Sequence, residues 1–92
     1  MTVEELFAAR KKAHAYSREL RSDDPRLRHT VIVWHRDGTM LCFRYAFVLR
    51  MGHYIAIFTE HHGEHVYHEE DVDCVDQYDP VDIEAFPGHP IT

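Results

Sequence analysis

The sequence predicts an α+β domain: an N-terminal amphipathic helix packed on a bent antiparallel sheet of four to five strands, then a short C-terminal helical turn and an extended tail. Three observations predict it. Apolar residues recur at helical spacing near the start of the chain and alternate with period two through its middle, and the alternating stretches are separated by turn residues instead of long crossovers.

The helix comes first. Thr2-Val-Glu-Glu5 is a capping box, in which a hydroxyl and a carboxylate three residues on can satisfy free N–H groups at a helix start. Val3, Leu6, Ala9, Ala13, Tyr16 and Leu20 follow at spacings of three and four and align on one face. Arg10, Lys11, Lys12, Arg18 and Arg21 fill much of the remainder, and the late ones suit the negative end of the dipole. Pro25 disfavours helical geometry at Asp24, so the helix is expected over about 3–21.

Strands are expected over about 29–36, 39–51, 53–60 and 65–69, with 72–78 as a fifth. The first is β-branched and aromatic and ends at Asp37-Gly38, a dipeptide favoured in two-residue hairpin turns. From Thr39 the alternation places Leu41, Phe43, Tyr45, Phe47 and Leu49 on one face and Met40, Cys42, Arg44, Ala46, Val48 and Arg50 on the other. Gly52 breaks that strand, and a tight turn at His62-Gly63 joins the next two. Asp79-Pro80 offers an N-cap with proline at the first helical position, giving a short turn that ends before Pro87, and 87–92 reads as tail.

Ninety-two residues form one domain, 1–92, and with 45% apolar residues the chain can build a single core without disulfides. Arg44 and Arg50 interrupt the longest apolar stretch, so no bilayer span is expected. Glu4 and Glu5 stand where a signal peptide carries basic residues. Cys42 and Cys74 lie in separate segments with no zinc-finger or C-x-x-C spacing. A soluble, cytoplasmic protein with two free thiols is the expectation.

The charge is divided along the chain. Residues 1–50 hold all ten Lys and Arg against six acids, a local charge of +4, whereas residues 51–92 hold ten acids and no Lys or Arg. Such asymmetry polarises a surface if the halves stay apart and cancels if they interleave. The acidic segment contributes Glu60, Glu64, Glu69, Glu70, Asp71, Asp73 and Asp76 as candidate partner-binding residues. Its concentrated charge could imitate a phosphate backbone and occupy a basic groove on a nucleic-acid-handling protein. Direct nucleic-acid binding is not expected from so acidic a chain.

Six of the nine histidines also fall in 51–92, and His61, His65 and His68 form a candidate site for zinc or nickel. On a helix the three would share a face. Gly63 and the β-forming Val66-Tyr67 favour a hairpin, which puts His65 on one side of the sheet, opposite Glu60, and His61 and His68 on the other. In that register residue 68 pairs with residue 57. No cofactor is therefore expected in the leading reading. Protonation of the histidines near their reference pKa of about 6.5 should change self-association or partner binding between about pH 7.5 and 5.5.

Catalytic constellations are weak. Ser17 and Ser22 lack nucleophile-elbow surroundings, and Asp71, Asp73 and Asp76 should raise the Cys74 thiol pKa. The composite expectation is a non-enzymatic binding or regulatory module acting through contacts with a protein partner. The 39–51 strand is apolar on both faces and one helix covers only one of them; the short C-terminal helix or a second subunit would cover the other, and a homodimer is expected.

Overall fold

The computed structural model describes residues 2–78. One helix, α1 (Val3–Glu19), precedes five strands: β1 (His29–His35), β2 (Met40–Met51), β3 (Tyr54–Thr59), β4 (Glu64–His68) and β5 (Val72–Tyr78). They form one antiparallel sheet in the order β4-β3-β2-β1-β5. Short 3-10 turns at Pro25–Arg28 and Glu69–Asp71 lead into β1 and β5. The expected helical turn after Asp79 and the tail at 87–92 lie outside the described residues. No helix among the described residues is long and apolar enough to cross a membrane.

The start of α1 is built as its sequence implies. Thr2 Oγ1 accepts a hydrogen bond from the Glu5 amide at 3.1 Å, with Glu4 and Glu5 at the positive end of the dipole. The helix lies over β3 and β4, where Ala13, Tyr16 and Leu20 pack against Phe47, Leu49, Ala56, Phe58 and Val66. Val3, expected on this face, is 66% exposed, because the first turn overhangs the packed stripe. Arg26 fastens the far end: it bonds Asp24 and the Tyr16 hydroxyl, and its guanidinium lies 4.7 Å from the Phe47 ring centre.

The unbroken alternation expected for β2 does not occur. Val31 pairs with Phe43 but His29 pairs with Ala46, so β2 carries one residue more than β1 across this interval. That is a β-bulge, and Tyr45 adopts a left-handed φ of 52° within it. Parity flips there. Leu41, Phe43, Ala46 and Val48 share one face with Val31, Val33, Ile55 and Ile57, while Phe47, Leu49 and Met51 move to the helix face. Tyr45, expected in the core row, is instead 49% exposed.

The bulge also answers how a sheet apolar on both faces is covered. The His35 ring on β1 lies 5.1 Å from the Tyr67 ring on β4, and Phe43 on β2 lies 4.8 Å from His65 on β4. In a flat sheet, three strand intervals would hold β1 and β4 about 14 Å apart. The sheet therefore curls until side chains of β4 reach those of β1 and β2, over Val31, Val33 and Ile57, each 0% exposed. The second cover, attributed above to the short C-terminal helix or another subunit, is supplied in large part by the sheet itself.

Two turns differ from expectation in length. The β1–β2 connection is a three-residue loop closed by His35 N–H to Thr39 O at 2.9 Å, with Gly38 at φ 92°, instead of a two-residue turn. Asp37 holds it by accepting from both the amide and the hydroxyl of Thr39. The β3–β4 connection closes at Thr59 N–H to Gly63 O, 3.0 Å, so Glu60, His61 and His62 form its loop.

Candidate functional site

That longer loop resets the register of the histidine hairpin. His65 pairs with Ile57 and His68 with Tyr54, three residues away from the expected alignment in which 65 faced 60 and 68 faced 57. His65 projects to the curled face, against Phe43, and His68 to the helix face, edge-on to Tyr54. His61 sits in the exposed loop, its Nε2 3.6 Å from Glu60. The three imidazoles are thus separated, and among the described residues no three His, Cys, Asp or Glu side chains are grouped to hold a metal ion.

The acidic residues are dispersed too. His14 Nδ1 on α1 lies 2.7 Å from Glu64 Oε1, a hydrogen-bonded contact between helix and edge strand that no local spacing signals. Glu69 pairs with both Arg50 and His53. Asp76 accepts the Trp34 indole N–H at 3.0 Å. Arg36 and Arg50 share a shallow cleft of about 520 Å³ with Glu69, Glu70 and Asp73. Basic and acidic halves therefore interleave here. Glu70, Asp71 and Asp73 remain on the surface, Glu70 with 82% of its side chain exposed.

These pairings set the pKa values. Burial pushes the Glu64 carboxyl up, but the bonds from His14, the backbone and Ser17 outweigh it and hold the group below the usual value of 4.5. The His53 bond, with Arg50 beside it, does the same for Glu69. A carboxyl depressed in the folded state contributes stability above its unfolded pKa and loses it as pH falls through the folded one. The urea midpoint should therefore fall progressively below about pH 4.5, and Glu64→Gln should flatten part of that fall. An acid limb identical in the variant would refute the assignment. Cys74 moves the other way: burial, then Asp76 and Asp73, push its thiol up. That suppresses the thiolate needed for nucleophilic chemistry.

What the hairpin tip does assemble is an exposed group around Tyr45. The Tyr45 carbonyl accepts the Glu60 amide at 3.0 Å, which ties the bulge to the β3–β4 loop. The His61 ring stands edge-on to Tyr45 with centres 6.3 Å apart, and the Arg44 guanidinium lies 5.9 Å from the Tyr45 ring centre. The loop itself is fixed by Thr59, whose Oγ1 accepts from His62 N–H and donates to Gly63 O, both at 2.8 Å. Gly63 takes φ 71°, which a side chain would resist. An aromatic ring on a strained backbone thus stands beside His61 and Arg44. Sequence reasoning missed Tyr45, because tyrosine continues the β2 alternation and no glycine marks the bulge.

The fold and this tip define a small α+β protein with an exposed aromatic tip. No protein-family model matches the chain, and comparison with curated proteins and with solved structures finds no match either.

Proposed function

We propose that the chain is a non-enzymatic binding module whose contact with a protein partner centres on Tyr45 and the Glu60–His62 loop. The observation that carries this is the cost of Tyr45. A left-handed φ disfavours an L-residue by roughly 1–2 kcal/mol, and glycine or asparagine would supply the same backbone more cheaply. Core burial does not repay the ring, which is 49% exposed. Backbone strain tends to be kept at functional positions, and tyrosine and arginine are enriched in binding hot spots. The raised Cys74 thiol and the pairing of Glu64 and Glu69 within the fold favour this reading over catalysis or nucleic-acid mimicry.

Tyr45→Gly tests it. The variant is expected to hold or gain stability, by up to about 1 kcal/mol, while losing most of the partner captured from a host extract. A photoreactive phenylalanine analogue at position 45 should yield one discrete adduct, with none from the same group at Lys12. Partner capture unchanged in Tyr45→Gly would end this reading.

A further inference from the structure

The strand β4 is an edge, with no neighbour on its outer side among the described residues. Its hydrogen-bond phase is fixed at both ends, by Thr59 N–H to Gly63 O and by Glu69 N–H to His53 O. Bonded pairs alternate along an antiparallel ladder, so the backbone groups of His65 and Tyr67 turn inward to β3. Those of Glu64, Val66 and His68 turn outward.

The side chains along this edge have an unusual order. Read outward from Val66, they run Glu64, His62 and His61 in one direction and His68, Glu70 and Asp71 in the other. Reversing the segment exchanges His61, His62 and His68 each with an acid, and His65 with Tyr67. We infer that β4 pairs antiparallel with β4 of a second copy, centred on Val66, making a two-fold homodimer with one continuous sheet.

In that register all three outward residues are used. Val66 meets Val66, and Glu64 of each copy lies opposite His68 of the other. Cβ atoms so placed are about 5 Å apart, within reach for a hydrogen bond from imidazole to carboxylate. His68 is prepared as a donor, because its Nδ1 accepts from the Glu70 amide at 3.2 Å, which puts the ring proton on Nε2. Beyond the strand the same register carries His62 toward Glu70 and His61 toward Asp71. Shifting it by two residues opposes Glu64 or His68 to Val66 and uses fewer bonds. The other edge, β5, carries Asp73 and Asp76, so self-pairing there would set carboxylate near carboxylate.

The helices fit as well. Val3, Phe7, Arg10 and His14 share one face of α1. That face looks toward β4, since His14 bonds Glu64 and Arg10 lines a groove with His65, Val66 and Tyr67. Across the two-fold axis the α1 helices of the two copies run side by side on one face of the sheet. This gives Val3 and Phe7, 66% and 62% exposed in one copy, a surface to pack against. The one like-charge approach is Arg10 on Arg10, and an exposed guanidinium can swing into solvent. The dimer reading goes beyond the Tyr45 proposal and stands or falls separately from it.

The test is a complementary pair of variants followed by sedimentation. In His68→Glu two carboxylates face each other twice across the axis, and in Glu64→Lys the ammonium meets the His68 Nε2–H, donor against donor. Each alone should weaken self-association by about tenfold or more, whereas the equimolar mixture restores Glu–His and Lys–Glu contacts and should dimerise. The unmodified chain supplies a second measurement: amide exchange at Glu64, Val66 and His68 should slow as concentration rises. A monomeric unmodified chain overturns the dimer, as do variants that associate as the original does or edge amides that exchange equally at all concentrations. Folded variants whose mixture stays monomeric overturn it too. Tyr45→Gly should leave the dimer unchanged.

Discussion

Phe58→Ala is expected to remove about 3–5 kcal/mol of stability, the largest effect of any single truncation in the helix-side core. Phe58 is 0% exposed and joins the two layers: its ring centre lies 4.9 Å from Tyr16 on the helix and 5.3 Å from Phe47 on β2. Losing it opens a void that Tyr16 and Phe47 cannot close, since Arg26 holds both. A domain of this size has roughly 5–14 kcal/mol in all, so the variant forfeits about a fifth or more. The urea midpoint should fall with an unchanged slope. Phe7→Ala, at a site 62% exposed, is the control and should stay within about 0.5 kcal/mol in dilute solution. If the two variants proved equally stable, the packing of α1 on the sheet would be wrong.

The second large effect concerns the loop. Thr59→Val keeps the shape of a residue only 6% exposed but deletes the hydroxyl that bonds both His62 N–H and Gly63 O. The expected cost is about 1–3 kcal/mol, because a donor in a half-enclosed loop loses its acceptor. Thr59→Ser keeps the hydroxyl and should lose far less. Amide exchange should separate local from global effects: His62 N–H accelerates in Thr59→Val while α1 amides do not. Equal exchange at His62 in the valine and serine variants would show that the hydroxyl does not hold the loop. Because Tyr45 rests on this loop through the Glu60 amide, Thr59→Val should also weaken partner capture.

Both effects depend on features of unequal legibility. The helix start at Thr2, the strand at 72–78 and the scattering of His65 from His68 could be read from local pattern. Capping chemistry and period-two burial act over a few residues and leave their signature in order along the chain. The Tyr45 bulge left none. Its cause is a pairing between His29–Val31 and Phe43–Ala46, and nothing within β2 records how many partner residues oppose it. The hairpin register slipped for a related reason: a glycine marks a turn but does not fix how many residues precede it, and here the Thr59 hydroxyl decides. The hydrogen bond between His14 and Glu64 joins residues fifty positions apart, beyond any spacing rule.

The amino-acid order alone determined the element types, the antiparallel hairpins, the helix on one face and the division of charge, because these follow from periodicity and turn chemistry. Tertiary structure decided the rest: which aromatic leaves the core, which carboxylates are neutralised, and how the second apolar face is hidden. Those outcomes depend on how a twisted sheet closes on itself, and closure is a property of strand pairs, which no single strand encodes.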